Sequence, residues 1–270
     1  MIVGPPEPFA SILVLAVGLI VGSFLNVCIH RLPLGESIVW PGSRCPRCGA
    51  AIRPWHNVPL ASWLILRARC AACRAPISSR YPAVEAATGL AVVALWRAFG
   101  PTWAFAVASA FTFTMIVLFF TDWDHQLLPD LVTLPGFAVG LAVSFFNPFL
   151  GDPGWSRIVA SVTGAALGSG LLWGVGALYS RLRGVEAMGF GDVKMMALVG
   201  AFTGPAGVAV TLFAGSLSGA ATGLALIPFR GKTLQDTLPF GCFLAPSALV
   251  AMLWGRRLVA AYLALIHLAP

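Results

Sequence analysis

Charge is scarce in this sequence. Only 10% of its 270 residues are Asp, Glu, Lys or Arg, against about 25% in a water-soluble domain. That deficit excludes an ordinary soluble protein and implies lipid. Several enzyme signatures are missing as well. There is no Gly-x-Ser-x-Gly turn and no obvious Ser–His or Ser–Lys arrangement. No His-Glu-x-x-His occurs, which excludes the two-histidine zinc protease helix, and no Rossmann-type glycine-rich loop is present. Neither an internal repeat nor a low-complexity segment is visible. Residues Met1–Pro8 carry no basic side chain, and no Ala-x-Ala site closes the first apolar run. That run is therefore expected to be a retained span and not a signal peptide.

Apolar residues fill the space left by charge, at 58% of the chain. The runs Phe9–Ile29, Trp103–Phe120, Leu131–Phe146, Ile158–Tyr179 and Ala206–Ile227 approach the ~20 residues that cross a bilayer core as a helix. With shorter runs included, about eight spans are expected, at 9–29, 82–98, 103–121, 131–148, 157–180, 193–204, 206–228 and 241–265. The fold expected is an all-α integral membrane protein. Its parts are a first transmembrane helix at 1–29, a cytoplasmic domain at 30–81 and a polytopic part at 82–270. Phe99-Gly100-Pro101, Asn147-Pro148, Gly151-Asp152-Pro153-Gly154 and Thr203-Gly204-Pro205 read as turns. Gly164-x3-Gly168, with Gly170 and Gly174, reads as a helix contact.

Most of the net charge of +7 lies in one place. Eight Arg (31, 44, 47, 53, 67, 69, 74 and 80) face a single acid, Glu36, between Arg31 and Arg80. Short loops rich in Lys and Arg stay cytoplasmic. The segment is therefore expected in the cytoplasm with the N-terminus outside, which also places 122–130, 181–192 and 229–240 inside. Anchoring to anionic headgroups accounts for the basic patch in a membrane protein, and no nucleic-acid partner is expected.

A domain of about 50 residues usually needs a staple. Cys45-Pro-Arg-Cys48 and Cys70-Ala-Ala-Cys73, separated by 21 residues, supply one. Two Cys-x2-Cys turns with this gap resemble a structural zinc ribbon with four thiolates, the alternatives being unligated or redox pairs. A closed four-thiolate site makes the zinc structural, and Gly49 suits the tight turn of a knuckle. Cys28 and Cys242 lie in or beside apolar runs and read as packing residues.

The ten acids carry the chemistry. Three fall in Thr121-Asp-Trp-Asp-His-Gln-Leu-Leu-Pro-Asp130, and Asp192 lies in Gly189-Phe-Gly-Asp-Val-Lys194. Ionisable groups at membrane depth are costly and mark function by default. Two carboxyls from different helices can share a proton and activate water, one acting as acid and the other as base. Asp122 and Asp124 both compete for the first role. On a continuing helix they point about 200° apart, so one alone can face Asp192. Asp130 suits a helix cap. Gly189 and Gly191 leave room for a substrate backbone beside Asp192.

These motifs together are similar to those of the bacterial type IV prepilin peptidases. They are Gly22-Ser-Phe-Leu-Asn-Val-Cys-Ile-His-Arg-Leu-Pro33, the Cys pairs, Arg80-Tyr-Pro-x2-Glu85-x3-Gly89, Asp122-x-Asp-x4-Pro-Asp130, Gly189-Phe-Gly-Asp-Val-Lys194 and Pro239-Phe-Gly241. The resemblance spans nearly the whole chain. It implies a bacterial inner-membrane aspartyl endopeptidase with its active site on the cytoplasmic face. Such an enzyme cuts the basic leader from type IV prepilins or type II secretion pseudopilins after a Gly. It then N-methylates the new N-terminal residue with S-adenosyl-L-methionine. The family's acids correspond to Asp122, seven residues before Pro129, and to Asp192 of the Gly-x-Gly-Asp motif. Glu85 and Gly89 are implied as candidates for the methyl-donor site; otherwise Glu85 pairs with Arg80 or caps a helix. Two other readings are a protease without methyltransferase activity and a proton-coupled transporter. A transporter is expected to carry its acids at the midplane, often with inverted repeats.

Overall fold

A chain in lipid has to satisfy its own backbone hydrogen bonds, and a helix does so within one segment. The computed structural model describes residues 8–184, 189–230 and 238–266. Its α-helices are α1 (Pro8–Arg31), α2 (Ala61–Ile65), α3 (Arg80–Phe99), α4 (Trp103–His125), α5 (Asp130–Ala142), α6 (Trp155–Arg183), α7 (Phe190–Arg230) and α8 (Gly241–Leu265). Among the described residues there is no strand, only the isolated bridges Arg44–Ala51 and Arg69–Pro76.

Six helices, α1, α3, α4, α6, α7 and α8, are long and apolar enough to cross a membrane. The chain is a multi-pass membrane protein. The remaining expected spans are helical too, but they do not stand as separate long helices. With 13 residues, α5 reaches about 20 Å, short of a bilayer core of ~30 Å. Segments 193–204 and 206–228 are the two helical parts of α7, divided as expected at Gly204, whose φ of 68° and ψ of −174° are not helical.

The break has a chemical cause and two chemical repairs. Pro205 has no N–H to give to the carbonyl of Ala201, and the turn at Gly204 disturbs the next bond as well. Ser161 Oγ donates to Ala201 O at 2.7 Å, and Asn147 Nδ2 donates to Phe202 O at 2.8 Å. Both side chains are fully buried. Neighbouring side chains thus satisfy carbonyls that the helix gives up, as a kink in lipid requires.

The distribution of polarity fits lipid and not water. Phe9, Trp155 and Phe213 are 76%, 79% and 74% exposed, while Thr121, Thr133 and Ser161 are fully buried. An apolar exterior of this extent has no place on a soluble monomer.

The chain divides into two compact units, Met1–Val117 and Leu118–Pro270. In the first, α1 and α3 meet backbone to backbone. A Cβ at Gly18 would lie 2.9 Å from Gly89 Cα, and one at Gly22 would lie 2.7 Å from Glu85 Cα. In the second, α5, α6 and α8 pack on α7. Gly164 and Gly168 make the close approach expected of them, against Gly200, Gly204 and Met196 of α7. Gly170 and Gly174 do not, and meet nothing within 4 Å. Gly170 is two residues beyond Gly168, which turns it about 200° to the opposite face of α6.

Two knuckles shape the loop region between α1 and α3. Cys45 N donates to Ala50 O and Gly49 N to Cys45 O, both at 2.9 Å. Cys70 N donates to Ala75 O at 2.8 Å and Arg74 N to Cys70 O at 3.0 Å. Gly49 takes the expected left-handed turn at φ 69°, and Arg74 takes it at φ 59° in the second knuckle.

Candidate functional site

Asp122 sits in the last turn of α4, which ends at His125. It is buried, whereas Asp124 is exposed on another face of the same turn. The helix therefore separates the two competing acids as its pitch requires. Asp122 Oδ2 accepts a hydrogen bond of 3.0 Å from the N–H of Cys242, in the first turn of α8. The positive end of the α8 dipole thus lies at this carboxyl. Cys242 Sγ in turn donates to Phe119 O at 3.3 Å, joining α8 and α4 a second time.

Asp192 lies in the first turn of α7, half-buried and close enough for its charge to interact with that of Asp122. Leu128 is wedged between the two motifs. A Cβ at Gly191 would lie 3.1 Å from Leu128 Cβ, and one at Gly241 would lie 3.2 Å from Leu128 Cδ2. The room expected at Gly191 is thus taken by Leu128, while Gly189 has nothing within 4 Å. Neither Leu128 nor the Cys242 N–H was legible as a site group. The Asp122–Asp130 motif around Leu128 and the Pro239-Phe-Gly241 motif before Cys242 were the signals near them.

Gly241 is the tightest position. A Cβ there would lie 2.8 Å from Asp122 Oδ2 and 3.0 Å from its Cγ. Gly241→Ala is expected to displace the carboxyl and lower turnover by about 100-fold, the cost of misplacing a reacting group by ~1 Å. Comparing kcat and thermal stability of the variant with those of the parent checks this. A fully active, normally stable variant would show that Gly241 has no part in placing Asp122.

Asp130 opens α5 and pairs with Lys194 of α7, whose Nζ lies 2.7 and 2.8 Å from its two carboxyl oxygens. The pair is partly exposed, at 25% for Lys194 and 56% for Asp130, so it contributes at most ~1 kcal/mol. Its use is positional: it fixes the start of α7, two residues from Asp192.

In the first unit, the sulfurs of Cys45, Cys48, Cys70 and Cys73 all lie within 4.8 Å of one another. Cys45 Sγ and Cys73 Sγ are 3.9 Å apart. Sulfurs tetrahedral about one zinc at ~2.3 Å stand roughly 3.8 Å from each other, so the cluster fits a metal ion. The N–H groups of Cys48 and Arg47 turn toward the Cys45 sulfur and hold its thiol down, at about 6. The Cys73 and Ala72 N–H groups lower Cys70 in the same way. Cys48, despite the Ala50 N–H beside it, is pushed up to about 11 by the Cys73 and Cys45 sulfurs, so each knuckle offers one lowered thiol, Cys45 or Cys70, for the deprotonated form that a metal needs.

Glu85 and Gly89 lie on the buried face of α3. Glu85 Oε2 accepts a bond of 2.8 Å from Leu60 N, where the chain enters α2. Gly89 faces α1, where a Cβ would lie 2.9 Å from Leu19 Cδ2 and 3.0 Å from Leu15 Cδ1.

Two carboxyls on separate helices, within charge range of each other and backed by a helix N-terminus, are suited to general acid–base hydrolysis. The relatives of the chain share that class. Residues 16–99 match the bacterial peptidase A24 N-terminal domain, and residues 109–224 match the type IV leader peptidase family. The prepilin leader peptidase/N-methyltransferase of Stutzerimonas stutzeri is 38% identical over 95% of both chains. Its namesake in Pseudomonas aeruginosa is 37% identical over 95% of both. That of Aeromonas hydrophila is 38% identical over 93% of both. The chain belongs to the type IV leader peptidase family. No solved structure matches it.

Proposed function

We propose that the chain is a bifunctional prepilin peptidase. It removes the leader of type IV prepilins and N-methylates the residue so exposed. The placement of Asp122 and Asp192 at the ends of α4 and α7, within range of each other's charge, supports the peptidase part. One carboxyl takes a proton from water as its oxygen adds to the scissile carbonyl, and the other gives a proton to the departing amine nitrogen. The Cys242 N–H holds Oδ2 of Asp122, which leaves proton exchange to the other oxygen.

The finer assignments rest on charge placement and resemblance. The basic 30–81 segment favours a cytoplasmic active face in a bacterial inner membrane. Cleavage after Gly and the acceptance of type II secretion pseudopilins are part of the same reading. Cys45, Cys48, Cys70 and Cys73 would hold one structural Zn2+, stapling a domain that lies between the first span and the polytopic part. S-adenosyl-L-methionine supplies an electrophilic methyl group, taken up by the new amine with loss of a proton. Glu85 and Gly89 serve this second activity by holding the segment before α2 and seating α3 against α1. Changing Glu85 is then expected to lower methylation more than cleavage.

The test uses purified full-length protein with a prepilin and S-adenosyl-L-methionine, read by mass spectrometry. A product that lacks its leader and carries one methyl on its N-terminus is expected. An intact substrate would overturn the peptidase reading, and a cleaved, unmethylated product would leave a protease alone. With Glu85→Ala, equal loss of both activities would reduce Glu85 to support of the fold.

A further inference from the structure

The first unit holds a cleft of about 410 Å3 between the C-terminal end of α1, the 36–46 loop and Tyr81. Small-molecule sites occupy ~300–1,000 Å3, so a metabolite fits. We propose that this cleft binds the methyl donor, S-adenosyl-L-methionine, a zwitterion with a sulfonium cation and a flat purine. The proposal rests on the methyltransferase reading above and gives that activity a place.

The cleft is built and not incidental. Arg31 Nη1 donates to Ser37 O at 2.9 Å and Nη2 to Gly42 O at 3.3 Å, which pins both ends of the loop. Ser37 Oγ accepts from Val39 N and Trp40 N at 3.3 and 3.2 Å, setting the turn that carries Trp40. Cys45 of the metal cluster forms part of the wall. The staple and the cleft are therefore one construction, which gives the metal cluster a purpose beyond stability.

The chemistry of the wall selects the ligand. With Arg31 occupied by the loop, Glu36 and Arg44 offer one charge of each sign, and neither has an ion-pair partner among the described residues. A ligand carrying both a cation and a carboxylate satisfies both. Trp40, 78% exposed, offers a π face to a purine or a sulfonium, while the Tyr81 ring, with the Arg80 guanidinium 5.8 Å from its centroid, closes the wall. One turn before His30 on α1, Asn26 gives its amide to Tyr81 O at 3.1 Å. That bond ties α1 to the residue that closes the cleft. An anionic lipid headgroup would find Glu36 repellent. The basic leader would find Arg31 and Arg44 repellent.

Binding of S-adenosyl-L-methionine to the full-length protein in detergent is the deciding measurement, made by calorimetry on the parent, Trp40→Ala, Glu36→Gln and Arg44→Ala. Each variant is expected to weaken binding by about tenfold or more, as loss of one stacked ring does for a base. Leader cleavage and metal content should be unchanged. Photocrosslinking of an azido-adenine analogue to the parent should label the 30–46 segment or Tyr81, which guards against variants that misfold. Parental affinity in all three variants, or a label elsewhere, would overturn the cleft while the enzyme still methylates. A parent that cleaves but neither binds the donor nor methylates would instead remove the methyltransferase reading, and the proposal with it. Tighter binding of a basic leader peptide or of anionic vesicles than of the donor, with the same variant pattern, would assign the cleft to that ligand and overturn the proposal.

Discussion

Asp122→Asn and Asp192→Asn are each expected to lower leader cleavage by about 1,000-fold or more, with the protein still folded in the membrane. An amide keeps the shape of the carboxyl and loses its proton chemistry, so the variant separates placement from catalysis. Neither acid can replace the other, because Asp122 is tied by the Cys242 N–H while Asp192 stands on α7. Asp124→Asn is the internal control. It is exposed on the same turn as the buried Asp122 and should cost little. Rates of leader removal measured on the three variants at equal membrane content decide the matter. A dead Asp124→Asn beside an active Asp122→Asn would reverse the assignment within the motif.

The second large effect concerns metal. Elemental analysis is expected to find one zinc per chain, and Cys48→Ser to release it. A structural zinc contributes ~10 kcal/mol to a small fold, more than a domain of about 50 residues can recover from its own core. Limited proteolysis should then cut between residues 32 and 79 in the variant and spare that stretch in the parent. Cleavage is expected to persist in part, since Asp122 and Asp192 lie outside it. Metal-free parent protein with an intact 32–79 segment would sink the zinc assignment.

The sequence made the helices legible because apolar runs in lipid have one solution. It also separated Asp122 from Asp124, since two residues of helix pitch need no tertiary knowledge. It placed the division of α7 as well, because Gly204-Pro205 reads locally as a stop and the backbone there is not helical. What satisfies the carbonyls at that break is supplied by Ser161 and Asn147, 40 and 55 residues away, and no local pattern reports that. Leu128 was hidden for a related reason. A leucine in a loop has no signal of its own, and its role appears only when Gly191 and Gly241 close on it from two helices. Gly170 and Gly174 misled because glycine spacing reports what a helix permits and not which face a neighbour takes.

The break at Gly204 gives α7 a fulcrum. Asp192 lies 12 residues before it, about 18 Å along the helix at 1.5 Å per residue. Over such a lever arm a tilt of only ~3° swings the carboxyl through ~1 Å, a displacement that can cost ~100-fold in rate. Ser161 and Asn147, by gripping the carbonyls at the fulcrum, therefore set the aim of a side chain they never touch. Natural variation that tunes this enzyme can then arise at Ser161 and Asn147, with both acids unchanged.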